Sequence, residues 1–333
     1  MTTTPATLTV RSPEDLLAIA PVLLGFWPED SVVMMTFGAD RPFHARVDLP
    51  PLDAQTLVVR RELDELLLGP ARRHHAQQVV LLYFGADRAA AMAAHRVLRR
   101  GCRRSGIAVV AGLFADGERW VDLDSPARPS PGTPYDVSAH PFVVEALVSG
   151  RLSHRSRADL AASLDPDLPA VTRVQRALVS GGFADEDMPT DGRAIRRKGR
   201  WVERHVAELV AAGAEPSDDV AARLLWVMQA TRVRDAAWSL ITRRTAEAHV
   251  RFWSDLVRRA PTPLVPAPAA LLAWAAWQAG DGAKAWVALD RCGEVAPDYA
   301  MAAYLGSLLQ QAVPPDFWEG GFDWSLGLGS VHG

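Results

Sequence analysis

Short apolar runs of strand length alternate with helix-period segments through residues 12–125, and beyond residue 138 only the helical period remains. Ser12-Pro13-Glu14-Asp15 opens the first helix. Ser12 suits the N-cap, Pro13 the first turn, and Asp15 can return a bond as in a capping box. The pattern carries this helix to about Leu24, with a kink expected at Pro21 and a stop at Gly25. Ser31 to Phe37 and Phe43 to Leu49 read as two strands of a hairpin around the turn cluster Gly38–Pro42. Asp53 to Leu68 reads as a helix ended by Gly69-Pro70. Val79 to Phe84 is a fully apolar strand of the kind buried on both faces, and Asp87 can cap a helix from Arg88 to about Arg104. Ile107 to Phe114 repeats the buried-strand pattern, and Asp116-Gly117 turns the chain into Trp120–Leu123. The order α-β-β-α-β-α-β-β predicts a mixed five-stranded sheet with flanking helices, an α/β domain over residues 1–125.

Ser125 to Pro134 is a Pro-rich linker by composition, so residues 126–137 separate that domain from an all-helical one over 138–312. Turn signals at Gly150, Asp165-Pro166, Gly181-Gly182, Asp191-Gly192, Gly213–Pro216 and Pro261–Pro268 divide the helices. Near its end, Leu272, Ala273, Gly280, Ala285, Leu289, Cys292 and Pro297 fall on the small, apolar and turn positions of a tetratricopeptide repeat. Ala276 stands where that repeat usually has an aromatic, with Trp277 beside it. A single such pair cannot bury its own faces, so it is expected to cap the preceding helices. Residues 313–333, rich in glycine and aromatics, form a tail that either covers a groove or is loose.

Composition narrows the function classes. The formal net charge is −3, and acidic and basic residues balance in both halves, unlike a dedicated nucleic-acid binder. Two cysteines, Cys102 and Cys292, one in each expected domain, supply no metal cluster or disulfide framework. Residues 1–11 lack the basic and apolar regions of a signal peptide, and Leu264–Trp277 is too short to span a bilayer. The cytoplasm is therefore the expected compartment, with no membrane partner.

The run Ser12-Pro13 to Leu23-Leu24-Gly25-Phe26-Trp27-Pro28-Glu29-Asp30-Ser31 resembles the opening of an actinobacterial family catalogued as a domain of unknown function, number 4192. Arg46-Val47-Asp48-Leu49-Pro50, Ser156-Arg157-Ala158-Asp159-Leu160, Val233-Arg234-Asp235 and Ala267-Pro268 to Trp274 with Gly280-Asp281-Gly282-Ala283 are similar to its later landmarks. The resemblance implies an actinobacterial cytoplasmic protein and brings no established activity. It also implies a cysteine-containing segment ahead of the Pro-Gly-Thr-Pro stretch, where this chain has Arg128-Pro129-Ser130-Pro131.

Two constellations are candidates for chemistry. If the strands Phe43–Leu49, Val79–Phe84 and Ile107–Phe114 run the same way, their carboxyl ends share one edge. That edge carries Trp27, Glu29, Asp30, Asp48, Asp53, Asp87, Arg88, Asp116, Glu118 and Arg119. Carboxyl ends of parallel strands are where ligands bind in open α/β sheets, and clustered carboxylates can hold Mg²⁺. Aspartate and glycine are also what caps and turns require. Asp30 in particular is expected to serve as a cap or turn acceptor. The second constellation is a basic stripe at helical spacing: Arg193, Arg196, Arg197, Arg200 and Arg204, with Lys198 and Trp201 inside the run. It reads first as a solvated face paired with neighbouring carboxylates, and second as a site for nucleic acid or another polyanion. No phosphate loop, nucleophile elbow or metal-ligand spacing is present, and Gly327-Leu328-Gly329-Ser330 lacks a following helix, so no cofactor is named. The leading expectation is a non-enzymatic interaction or regulatory protein that docks a protein partner through its helical domain. The alternative is an enzyme or a nucleotide- or metal-dependent sensor using the acidic edge, and a third is a nucleic-acid accessory protein. Nothing in the sequence sets the oligomeric state.

Overall fold

The computed structural model describes residues 10–125, 131–183, 188–318 and 321–328. The N-terminal stretch before Val10, the Pro126–Ser130 part of the expected linker, and the end of the tail from Gly329 lie outside the described residues. Contacts divide the chain into two units, one up to Arg157 with Gln310–Ala312, the other Ala158–Leu309 and from Val313 onward.

The first unit holds a six-stranded sheet in the order β2-β1-β3-β4-β5-β6, one strand more than the pattern predicts. The strands are β1 (Ser31–Phe37), β2 (His44–Asp48), β3 (Gln78–Phe84), β4 (Ala108–Ala115), β5 (Arg119–Asp122) and β6 (Thr133–Pro134). The addition is β6, a two-residue strand inside the Pro-rich segment, paired antiparallel to β5. Two residues carry no periodicity, and proline is tolerated there because β6 is an edge. β1 is antiparallel to both β2 and β3, and β3 is parallel to β4, so β2, β3 and β4 run the same way, the condition under which their carboxyl ends share one edge.

Helix α1 (Pro13–Leu24) has the full capping box between Ser12 and Asp15 and ends on Gly25 at φ 76°. Helix α2 (Leu57–Arg73), capped by Thr56, runs through Gly69-Pro70 rather than stopping there, and Asp53 sits in a short 3-10 turn ahead of it. Leu63, Leu67, Leu68, Pro70 and Ala71 are buried, so core packing holds the last turn against the local breaker. Helix α3 (Arg88–Arg104) is capped by Asp87, whose Oδ1 accepts from the N–H groups of Ala89 and Ala90. Alternate residues of the sheet, Val32 and Met34 of β1 with Val79, Leu81 and Tyr83 of β3, share one core with α2 and α3. Strand β4 departs from the fully buried reading, because Ala108–Ala111 is partly open and Val110 is exposed. Helix α4 (Pro141–Val148) packs against α1, and so belongs with the sheet.

The second unit is helical: α5 (Arg157–Ala162), α6 (Leu168–Ser180), α7 (Gly192–Ala212), α8 (Asp218–Val227), α9 (Thr231–Trp238), α10 (Ala246–Arg259), α11 (Pro266–Ala279), α12 (Gly282–Gly293) and α13 (Ala300–Gln310). Helix α11 is buried all round except at its last residue, so it is the central helix, with its two prolines in the first turn. Gly280 (φ 83°) ends it, and Asp281 caps α12 through the Lys284 N–H. The tail lies on this unit. Trp318 stacks on Trp238 at 5.4 Å, and the buried Trp324 occupies space that a Cβ on Gly199 would need. No helix among the described residues is long and apolar enough to cross a membrane.

Candidate functional site

Register fixes where the strand ends meet. Ser31, at the start of β1, pairs with Asp48 on one side and Phe84 on the other, and Phe84 pairs with Ala115. A cleft of about 660 Å³ opens at this edge. Its walls are Leu17 and Pro21 of α1, Trp27–Asp30 ahead of β1, Phe84 ending β3 with Gly85 and Ala86 after it, Ala115 ending β4 with Asp116 and Gly117 after it, the segment Tyr135–Ser138, and Arg155.

Each wall has a local cause. Helix α1 is held at its start by two side-chain contacts: Trp120 Nε1 donates to Glu14 Oε1 at 2.9 Å, and His140 Nε2 lies 3.0 Å from Asp15 Oδ1. The Arg11 backbone N–H and then His140 lower the Asp15 pKa. Pro21 has no N–H to give the Leu17 carbonyl, so that carbonyl loses its helical donor where both residues line the cleft. Asp116 forms the β4–β5 turn, its Oδ1 accepting from the N–H groups of Glu118 and Arg119. Asp136 Oδ1 accepts from the Ser138 N–H, which lowers its pKa. Burial, then the charge of Asp116, raises the Tyr135 phenol.

Asp30 has a left-handed backbone at φ 37°, tolerated by aspartate better than by most residues. Its carbonyl accepts the Leu49 N–H at 2.8 Å, while its carboxylate takes no hydrogen bond among the described residues. The expected cap or turn acceptor is thus the main chain and not the side chain. A Cβ on Gly85 (φ 141°) would lie 2.7 Å from Asp30 Oδ1, so glycine is what lets this carboxylate lie against the β3–α3 loop.

Four of the ten expected edge residues line the cleft: Trp27, Glu29, Asp30 and Asp116. The other six do not, with Asp53 in the 3-10 turn ahead of α2 and Glu118 in the β4–β5 turn. Asp48 is exposed and paired with Arg46, Asp87 is the α3 cap, Arg119 donates to the Gly132 carbonyl, and Arg88 lies outside the lining. Tyr135, Asp136, Ser138 and Arg155 line the cleft without having been singled out by the sequence. The Asp136-x-Ser138 turn was legible, but it falls in the segment read as a linker. Among the described residues no group of three His, Cys, Asp or Glu side chains is placed to hold a metal ion.

Other polar clusters close on themselves. In the first unit, His95 is 2% exposed and lies 3.3 Å from the Tyr83 hydroxyl and 3.0 Å from Asp124, which also pairs with Arg99. In the second, the buried Arg234 binds Asp235 and donates to the Tyr299 hydroxyl at 3.1 Å. On α7 the stripe divides. Arg193, Arg197, Arg200 and Arg204 are exposed, whereas Arg196 is half-buried near Asp323, whose pKa is lowered first by the Ser325 hydrogen bonds and then by the charges of Arg196 and Arg232. Cys102 and Cys292 are free and buried, and burial pushes each thiol up to about 11.

Residues 13–316 match a family model, while no curated protein and no solved structure matches the chain. The matched span takes in every strand among the described residues, the whole cleft lining and α7, and stops short of Trp318 and Trp324. The chain therefore belongs to the family described as "Domain of unknown function (DUF4192)".

Proposed function

We propose that the sheet-bearing unit is a ligand-binding module whose cleft takes a small organic cation, an amine or guanidinium compound. The observation that carries this reading is the lining itself: four carboxylates (Glu29, Asp30, Asp116 and Asp136), three aromatics (Trp27, Phe84 and Tyr135) and one arginine, at the carboxyl edge of parallel strands. Carboxylates beside aromatic faces attract a cation through both charge and the ring quadrupole. An anion is disfavoured, because Asp87 already occupies the α3 N-terminus, where a phosphate would otherwise bind.

Docking of a protein partner by the helical unit ranks behind this reading. The aromatic groove formed by Trp238 and Trp274 is covered by the chain's own Trp318 and Phe322.

The test is a thermal-shift screen followed by calorimetry with spermidine, agmatine and arginine amide against ATP and inorganic phosphate. Stabilisation by the amines and none by the anions is expected. Glu29→Gln removes an exposed carboxylate that makes no side-chain hydrogen bond among the described residues. It should weaken amine binding about 5-fold or more, the scale of a charge-assisted contact, with an unchanged melt. Stabilisation by phosphate compounds instead would reject the cationic reading.

A further inference from the structure

We infer that the exposed face of α7 binds the phosphate backbone of duplex DNA without sequence readout. Arg193, Arg197, Arg200 and Arg204 fall at i, i+4, i+7 and i+11 of a 21-residue helix, a straight row about 16 Å long at helical rise. The opposite face fixes the register, because Gly199, Val202, Val206 and Val210 are buried in the helical unit. The row therefore points to solvent. None of these four arginines forms a hydrogen bond or ion pair among the described residues. Helix α7 has two carboxylates of its own, Glu203 and Glu208, and neither is paired with the row. A solvated face paired with neighbouring carboxylates, the expectation from sequence, is not what these positions form among the described residues.

Charge complementarity selects the occupant. Four unneutralised guanidinium groups in line suit a linear polyanion, and duplex DNA carries a charge about every 1.7 Å of its axis. A single strand would need an aromatic platform. The aromatic in the run, Trp201, is already engaged by the Arg223 guanidinium at 4.3 Å and the His205 ring at 4.2 Å. A lipid surface would need apolar residues beside the basic row, and the apolar face of α7 is buried. Contacts to phosphate alone position a protein and read no sequence.

The experiment is fluorescence anisotropy of the full chain on a labelled mixed-sequence duplex across a salt series. With four phosphates neutralised, log affinity should fall against log salt with a slope of about −3.6, or roughly 100-fold between 50 and 200 mM. Arg197→Glu with Arg200→Glu should weaken binding at the lowest salt about 10-fold or more and reduce the slope by about 2, with an unchanged melt. Arg193→Gln with Arg204→Gln, a milder pair, should reduce the slope by a similar amount. No binding at low salt, equal binding by both variants, tighter binding to single-stranded DNA, or preference for anionic vesicles over the duplex would each overturn the inference. So would a lowered melt in both variants without loss of binding, since that makes the row an intramolecular partner.

Discussion

Asp30 takes up its left-handed backbone one residue before β1, and its carboxylate has no hydrogen bond to lose among the described residues. Substitution there separates backbone from charge. Asp30→Gly removes the left-handed strain and should raise stability by up to about 1 kcal/mol, while Asp30→Asn should leave it nearly unchanged. Both should weaken amine binding, since both remove the charge. Urea melts beside calorimetry check this, and a large stability loss in Asp30→Asn would make the carboxylate structural after all. The thiols offer a second residue-scale check. With Cys102 and Cys292 buried and pushed up to about 11, native protein should react with a thiol reagent only as fast as it opens. Reaction should become rapid in denaturant. Fast labelling of native protein at mildly alkaline pH would show that one of the two thiols is accessible.

The two caps named from sequence, Ser12 and Asp87, accept backbone N–H groups of their own first turns, because capping is local chemistry. Asp167, Asp191 and Ser217 do the same, though none was singled out as a cap. Both ends of α2 differ from the sequence reading: the helix starts at Leu57 rather than Asp53, and at its far end packing competes. Gly69-Pro70 signals a stop, yet Pro70 and Ala71 are buried and α2 continues to Arg73. The tail poses the opposite case, an aromatic segment with no period that finds its place only on a folded surface. Trp324 packs where Gly199 of α7 lacks a side chain, and a Cβ there would meet Trp324 Cη2 at 2.2 Å. Gly199→Ala should therefore release the tail, although alanine is the better helix former. A red shift of tryptophan emission and faster proteolysis after the helical unit are the expected readouts. An unshifted spectrum with a higher melt would mean that the helix preference outweighs the contact.

At the scale of the whole molecule, buried histidine makes stability depend on pH. Burial lowers His249, 2% exposed beside Trp253, from 6.5 to about 4. Above about pH 6.5 neither folded nor unfolded His249 binds a proton. As pH falls from there to about 4, only the unfolded state does, so stability drops by about 3 kcal/mol across that window. Urea melts at about pH 7 and pH 4 should show a smaller difference in His249→Gln than in the parent, and equal differences would clear His249 as the cause. The element types and order of the first unit were legible along the chain, and so, on the condition that β2, β3 and β4 share a direction, was the placing of Trp27, Glu29, Asp30 and Asp116 at one edge. Periodicity, caps and turn residues act over a few neighbours, and hairpin and crossover geometry convert their order into strand direction. That Asp136 and Tyr135, some 20 residues beyond Asp116, close the same cleft follows from folding and not from the local pattern. The same holds for the two-residue β6 that extends the sheet and for the four arginines of α7 that face solvent unpaired among the described residues. Each of these depends on which surfaces meet in space, and a chain shows only which residues are neighbours along it.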